Sequence, residues 1–314
     1  MPTGVTVAIV GAPEVAKEFA KKGTSSDLTL YNHVRDGHAT TLVEPTQFPE
    51  KLPPLVTALG MADQCLLVIT ELTKPVAETI ATVELVAVPT TVVLGPSVGE
   101  TEVARLLKGG RLESAPRKPL DPVHLRELID GWIAPDVPGP TRVPIDHIFP
   151  VKGVGTVALG VVRQGTLHAH DRLRLWPSPK EVEVRSIQVH DIDRKDAACG
   201  ERVGLALKGV EADEVSRGET LAPAGSLSEG SRLKTGPLEK CRYYRGNVAH
   251  GGQFQLAVGL QVVPAILEET GASGGVIVPD RPVVFRPNES ALLLDLSAPS
   301  GPRIVGRFDL TGPA

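Results

Sequence analysis

The chain has 314 residues, of which 41% are hydrophobic and 22% charged, and its formal net charge is −4. This length accommodates two or three domains, and the composition is ordinary for a soluble globular protein. No apolar run reaches the ~20 residues of a membrane span, and no basic segment precedes the first apolar run, so we expect a cytoplasmic protein without a membrane partner. Three cysteines far apart in the chain, Cys65, Cys199 and Cys241, predict neither a disulfide framework nor a metal site.

The charge is unevenly distributed. Residues 1–140 contain 17 acidic and 12 basic side chains, residues 141–226 contain 12 of each, and residues 227–314 contain 8 acidic and 9 basic ones. No segment is basic enough to hold nucleic acid by charge alone. Aromatic residues make up only 4%, which disfavours a broad stacking platform, so an RNA partner would have to use local patches.

Residues 1–134 alternate short apolar runs with amphipathic segments, which is typical of an α/β domain with a mainly parallel sheet. The predicted strands are 5–10, 28–32, 39–43, 65–70 and 90–94. The predicted helices are 13–22, 51–61, 75–86, 100–108 and 122–133, the last with Asp121 as its N-cap. Residues 134–140 contain three prolines and a glycine and are expected to form a stiff linker.

After the linker, short runs rich in β-branched residues alternate with glycine- and aspartate-containing turns, which is typical of β-barrels. The predicted strands of a first barrel, 141–226, are 156–162, 172–175, 182–189, 203–208 and 219–221. A second barrel, 227–314, is predicted to have strands at 253–263, 282–285 and 291–296.

The motifs of residues 141–226 follow one another in a recognisable order. Glycine-rich turns at 153–155 and 160–165 precede the runs 184–190, 200–205 and 215–219. In order and spacing these motifs resemble the second domain of translational GTPases of the EF-Tu type. Residues 21–32, 185–191 and 259–261 are similar to the SelB-type selenocysteine factors, and most of all to the methanogen SelB-like group associated with pyrrolysine. The resemblance implies an α/β P-loop GTPase-like domain over 1–134 followed by two β-barrels.

The phosphate loop of such a GTPase, GxxxxGK[ST], aligns with residues 11–18. Gly11 and Lys17 are retained, but Ala16 stands at the second glycine and Glu18 at the hydroxyl that would hold Mg²⁺. The DxxGH motif of the family aligns with residues 44–48, where Glu44 could still face a metal. We therefore interpret Gly11, Ala16, Lys17, Glu18 and Glu44 as a vestigial nucleotide site.

Two further nucleotide elements are altered. Gln47 and Phe48 replace the glycine and histidine of DxxGH, and residues 95–98 lack the carboxylate that would hold a guanine base. Only a few residues separate Lys17 from Gly23, so the first helix and effector loop of the family are too long to fit. The resemblance thus favours a pseudo-GTPase with no expected cofactor, and it leaves enzymatic activity uncertain.

In this family, the second domain holds the aminoacylated 3′ end of tRNA against the GTPase domain, and the third contacts the RNA backbone. The resemblance places the end contacts on one set of polar residues, Arg163, Gln188, His190, Glu201 and Arg202. It places the backbone contacts on a basic strip, Arg232, Lys234, Lys240, Arg242 and Arg245. The implied partners are tRNA or aminoacyl-tRNA, and the ribosome.

Two alternatives remain open on sequence grounds. The first is an active GTPase in which Lys17 and Glu44 suffice to bind GTP with Mg²⁺. The second is a protein-interaction module that binds no RNA, in which the polar and basic residues are ordinary barrel surface. Catalytic residues are not predicted, because the chain has no HExxH and no CxxC pair.

Overall fold

The computed structural model describes residues 4–35 and 37–314. Its first unit is a seven-stranded sheet in the order β2-β3-β4-β1-β5-β6-β7, in which β1 and β4 to β7 are parallel. The strands are β1 Gly4–Val10, β2 Lys21–Ser25, β3 Thr29–Arg35, β4 His38–Glu44, β5 Gln64–Ile69, β6 Thr90–Leu94 and β7 Arg117–Pro119. The helices are α1 Pro53–Met61, α2 Lys74–Val86, α3 Glu100–Leu107 and α4 Pro122–Asp130.

The sheet is covered on both faces, as the apolar runs of its central strands require. One face packs with α1, α2 and α3, and this core continues into the second barrel. The other face packs with α4 and with the segment after β1, through Ala16 and Phe19. The predicted N-cap of α4 is confirmed, since the Asp121 carboxylate accepts the N–H groups of Val123 and His124 at 2.9 and 3.2 Å.

The predicted helix 13–22 is wrong. The segment contains a single 3₁₀ turn, Ala16–Glu18, and β2 begins three residues later. Glu14 has a left-handed backbone, with φ of 59°, which a helix does not tolerate. Lys21 and Lys22, which were expected at the end of the helix, are exposed in the edge strand β2, because pairing with β3 outweighs a weak helical preference.

The first barrel is a closed six-strand ring in the order β11-β16-β8-β9-β15-β12, with β12 pairing back onto β11. Its strands and short accessory strands are β8 Val143–Val151, β9 Gly155–Val161, β10 Leu167–His168, β11 Arg172–Trp176, β12 Glu181–Val189, β13 Ile192–Arg194, β14 Asp196–Ala197, β15 Arg202–Lys208 and β16 Thr220–Ala222. Alternating inward side chains fill the ring with aliphatic residues.

The second barrel closes in the order β18-β22-β21-β20-β24-β25, with β18 pairing back onto β25. Its strands are β17 Ser228–Gly230, β18 Leu233–Thr235, β19 Glu239–Lys240, β20 Gly252–Val258, β21 Gln261–Gly271, β22 Gly274–Pro279, β23 Val283–Phe285, β24 Glu289–Leu294 and β25 Ile304–Pro313. The single predicted strand 253–263 is wrong: it is the hairpin β20–β21, which turns at Gly259 with φ of 55°.

The three units meet at one buried cluster. Leu28, Leu30, Val43, Ala58 and Met61 of the α/β unit pack with Val161 of the first barrel and Leu260 of the second. Arginines of the barrels add ion pairs to carboxylates of the α/β unit: Arg163 to Asp63, Arg217 to Asp27 and Arg303 to Glu78. These contacts hold the three units against one another.

In the described part of the chain, no helix is long and apolar enough to cross a membrane. Residues 4–35 and 37–314 also contain no group of three or more histidine, cysteine or acidic side chains placed to share a metal ion.

Candidate functional site

The loop after β1 keeps the tight turn of a phosphate loop. Gly11 has φ of 99°, and a Cβ at this position would lie 2.3 Å from the carbonyl oxygen of Val68 in the neighbouring strand. Only glycine fits this backbone and this close approach. The turn directs the following backbone N–H groups, at residues 14 to 16, towards the end of β4.

A carboxylate of the chain itself occupies this set of N–H groups. Glu44, the last residue of β4, is 6% exposed, and its Oε1 accepts the Ala16 N–H at 2.7 Å. The backbones of Glu14 and Val15 also donate towards it, and the Tyr31 hydroxyl donates to Oε2 at 3.3 Å. Burial raises the pKa of Glu44, and these donors oppose the rise. The backbone N–H groups that could bind an anion in this loop therefore already donate to Glu44.

Lys17, the lysine of the phosphate-loop motif that this chain retains, forms an ion pair at the surface. The Lys17 ammonium lies 2.8 Å from the Glu14 carboxylate, and both side chains are largely exposed. This contact raises the pKa of Lys17 and lowers that of Glu14. Glu18 is exposed, and its carbonyl accepts a hydrogen bond from Arg126 at 2.6 Å. Of the five residues of the predicted vestigial site, Ala16 and Glu44 are in contact, and Lys17 and Glu18 lie at the surface.

A cleft of about 450 Å³ separates the β2–β3 hairpin from the first barrel. Thr24, Leu30 and Asn32 form the wall on the α/β side. Apolar side chains of β8 and β9 form the opposite wall, and polar groups of β12 and β15 lie between them. This cleft joins two units and carries both apolar and polar lining, which makes it a candidate binding site.

Three of the predicted end contacts line this cleft: Gln188, His190 and Arg202. Gln188 donates to Asp193 at 2.9 Å. His190 and Asp191 form a two-residue turn with φ of 49° and 63°, which presents the imidazole at the cleft. Burial, followed by the charge of Arg202, lowers the pKa of His190, which favours the neutral ring.

The other two predicted end contacts lie outside the cleft. The Arg163 guanidinium is 2.6 Å from Asp63 and also donates to the carbonyl of Met61 at the end of α1. Glu201 is 1% exposed, packs against Gly4 of β1 and accepts the Ala198 N–H at 2.7 Å. Burial raises the pKa of Glu201. Both side chains contribute to the contact between the α/β unit and the first barrel.

The basic strip is divided into two groups. All five side chains are exposed, but Lys234 pairs with Gly312 of β25 and Lys240 with Gly306. Six residues of strand separate these partners, or about 20 Å. Arg232 is paired with Glu268 at 2.8 Å. Arg242 donates to the carbonyl of Lys108 at 2.7 Å and lies 4.7 Å from the Tyr243 ring, and Arg245 is on the same loop.

Sequence reasoning missed several residues around the cleft. Asn32 and Phe149 line it, and an Asp146-His147 pair at its edge reaches Ser26 of the α/β unit. The only sequence signal for the last group is an adjacent Asp-His pair, which is too common to be informative. Its partners are recognisable only once the hairpin β2–β3 is placed against β8.

Comparison with known proteins gives one family match and several relatives. The sequence model described as Elongation factor Tu domain 2 matches residues 155–222. An uncharacterized protein of Methanocaldococcus jannaschii is 35% identical over 298 residues, which cover 94% of this chain and 96% of that protein. The selenocysteine-specific elongation factor of the same organism is 29% identical over 290 residues, which cover 83% of this chain and 61% of that factor.

A solved structure gives the same picture of the fold. Translation elongation factor SelB from Methanococcus maripaludis, in complex with the GTP analogue GppNHp, is similar with a TM-score of 0.83 and 20% identity, over 99% of this chain and 80% of that one. The predicted architecture of a GTPase-like α/β domain followed by two β-barrels is confirmed.

Proposed function

This chain belongs to the translational GTPase family of the EF-Tu and SelB type, and from that membership we propose that it binds the aminoacylated end of a tRNA without using GTP. The α/β domain then serves as a scaffold for the cleft and not as a nucleotide-dependent timer. The ribosome is a further partner of the same proposal.

The observation that carries the nucleotide half of the proposal is the Glu44 carboxylate on the N–H groups of residues 14 to 16. A nucleotide phosphate would have to displace a buried anion that is covalently part of the chain. It would also meet Glu18 where the family motif has a hydroxyl. Lys17, which would compensate the phosphate charge, is paired with Glu14. Each of these contacts opposes a polyanion in the loop.

The RNA half of the proposal rests on the chemistry of the cleft. The neutral imidazole of His190 offers a flat surface on which an adenine base can stack, and Gln188 and Arg202 can hydrogen-bond ribose or phosphate oxygens. Apolar side chains such as Phe149 and Leu159 suit an aminoacyl group. The basic loop 240–245 of the second barrel supplies exposed cations for a phosphate backbone.

The ion pairs between units support a factor that needs no nucleotide to dock them. Arg163–Asp63 and Arg217–Asp27 join the α/β unit to the first barrel, with which it forms the cleft, and a further pair joins it to the second barrel. Arg303 contacts Glu78 through Nη2 at 2.6 Å and through Nε at 3.0 Å, and its backbone N–H donates to the same carboxylate. Glu78 belongs to α2 and is 9% exposed. The M. maripaludis SelB structure named above contains a GTP analogue. We propose that this chain reaches a similar arrangement through such contacts.

Filter binding with aminoacylated and deacylated tRNA tests the proposal. We expect aminoacylated tRNA to bind at least about tenfold more tightly, with an affinity that falls as salt rises and does not change when GTP is added at constant Mg²⁺. Lys240→Ala should reduce the slope of this salt dependence. Lys208→Ala, an exposed lysine of the first barrel outside the predicted contacts, should leave it unchanged. Absence of any salt-dependent affinity would refute RNA binding and favour a protein-interaction module.

A further inference from the structure

Three side chains form a continuous hydrogen-bonded array at the edge of the cleft. The Ser26 hydroxyl, which follows β2, lies 3.0 Å from Nε2 of His147 in the first barrel. Nδ1 of the same imidazole lies 2.6 Å from Oδ2 of Asp146. The array therefore links a solvent-exposed hydroxyl to a fully buried carboxylate through one imidazole ring.

A β-bulge makes this contact between neighbours in sequence possible. Consecutive side chains of a regular strand point to opposite faces of the sheet. The pairing of β8 with β9 shifts its register between Ile145 and His147, and this irregularity brings the Asp146 carboxylate to its neighbour's ring. Arg202 donates to the same Oδ2 at 2.6 Å and fixes the carboxylate from the other side.

The hydrogen bonds fix one ring proton of His147. An ionised aspartate only accepts hydrogen bonds, so Nδ1 carries a proton. The Ser26 hydroxyl has two possible acceptors at 3.0 Å, Asp27 Oδ1 and His147 Nε2, and its proton reaches Nε2 when the hydroxyl turns away from Asp27. This is the arrangement of nucleophile, general base and orienting carboxylate that activates a serine in acyl transfer.

The array adjoins the cleft on several sides. Thr24 and Phe149, each two residues from a member of the array, line the cleft, and so does Arg202. The Arg202 side chain is 9% exposed, and its Nε is buried without a hydrogen-bond partner among the described residues. The positive charge of its guanidinium lies beside the cleft, where it stabilises a negative charge that develops on a bound carbonyl oxygen.

We propose that Ser26, His147 and Asp146 form a second functional centre, which hydrolyses a carboxylic ester seated in the cleft. If the proposed function holds, the ester that reaches this position is the one between an amino acid and the ribose of an RNA 3′ end. The proposal adds a reaction to that binding function. Asp146 is a positioning residue, because it acts through the imidazole.

The reaction balances with water as the only co-reactant. Ser26 Oγ forms a bond to the ester carbonyl carbon while its proton moves to His147 Nε2. The bond between that carbon and the ribose oxygen then breaks, and the ribose oxygen takes the proton. Water attacks the acyl-serine with the imidazole as base, and the Ser26 oxygen recovers a proton. The products are a free amino acid and an RNA with a free hydroxyl.

A fluorophosphonate probe tests this proposal on the full chain without RNA. We expect one covalent adduct, located on Ser26 by peptide mass spectrometry, that is absent from Ser26→Ala and forms at least about 100-fold more slowly in His147→Gln. Ser25→Ala is the matched control, because Ser25 is the neighbouring exposed serine and its hydroxyl contacts Thr29 instead. It should be labelled like the wild type. A folded wild-type protein without an adduct on Ser26 would overturn the proposal.

A second measurement separates the two proposals. In single turnover with an excess of protein, aminoacyl-tRNA should lose its amino acid at least about 100-fold faster with the wild type than with Ser26→Ala, while both bind the RNA equally. Equal deacylation rates with RNA binding retained would refute the esterase alone. A wild-type protein that forms the Ser26 adduct but binds no RNA would refute the proposed function alone.

Discussion

The Glu44→Ala substitution should destabilise the α/β unit and open its phosphate loop. It removes the acceptor of the Ala16 N–H at 2.7 Å and of the Tyr31 hydroxyl at 3.3 Å from a site that is 6% exposed. A hydrogen bond to a charged group contributes about 1.5–3 kcal/mol, and a donor left buried without a partner adds to the loss. Relief of the buried charge offsets part of this, so we expect a loss of about 2–3 kcal/mol.

Tryptophan fluorescence during urea unfolding provides the assay. Trp132 packs against the core of the α/β unit and Trp176 lies in the first barrel, so a Trp176→Phe background isolates the signal of the α/β unit. A loss of this size should lower the urea midpoint by about 1 M. Glu14→Ala, which removes only an exposed contact with Lys17, should leave the midpoint unchanged.

Added sulfate gives a second reading of the same variant. With the carboxylate removed, the free N–H groups should bind an anion, so sulfate should raise the midpoint of Glu44→Ala more than that of the wild type. An unchanged midpoint in Glu44→Ala, together with an equal response to sulfate in both proteins, would refute the interpretation of Glu44 as the occupant of the loop.

Three further predictions follow from the buried charges and thiols. Burial raises the pKa of Glu44, so the folded state binds this proton more tightly than the unfolded state does. The wild type should therefore gain stability relative to Glu44→Gln as pH falls through the raised pKa towards 4.5. A difference in unfolding free energy between the two proteins that stays constant with pH would contradict this. Burial raises the pKa of Cys65 to about 12, so iodoacetamide at pH 8 should leave this thiol unmodified in the folded protein and modify it in urea. Modification of the folded protein at the rate of a free thiol would contradict the buried placement of Cys65. Arg163→Ala leaves Asp63, whose side chain is 2% exposed, without its cation, so it should lower stability by about 2–3 kcal/mol and speed proteolysis in the linker 134–140. Lys208→Ala, which breaks an exposed contact at 3.6 Å, is the control. Equal stability and equal proteolysis of the two variants would contradict the prediction.

The fold was largely predictable because its elements carry local signals. The central strands of the α/β unit are uninterrupted apolar runs, and Asp121 and the prolines near the helix starts mark helix ends. The segment 13–22 was mispredicted because its charged residues are at helical spacing, whereas Glu14 has a left-handed backbone and Lys21 and Lys22 pair with β3 in an edge strand. The turn within 253–263 was missed because the apolar pattern continues through it, and Leu260 on that turn is itself buried.

The candidate site was less predictable, because it depends on which units meet. The changes to the phosphate-loop motif at Ala16 and Glu18 are visible in the sequence. The hydrogen bond from the loop to Glu44 could not be predicted, because it requires β4 to lie beside β1. Gln188, His190 and Arg202 were expected together and do share the cleft. Arg163 and Glu201 have the same polar chemistry, yet they face the α/β unit, and only the docking of the barrel distinguishes the two sets. Their roles towards RNA stay predictions.

Titration calorimetry of the wild-type protein with GTP in the presence of Mg²⁺ tests the central claim most directly. With the loop occupied by Glu44, we expect no saturable heat up to a nucleotide concentration of about 1 mM. A dissociation constant in the micromolar range, lost when Lys17 is replaced by Ala, would contradict the claim and identify the chain as an active GTP-binding factor.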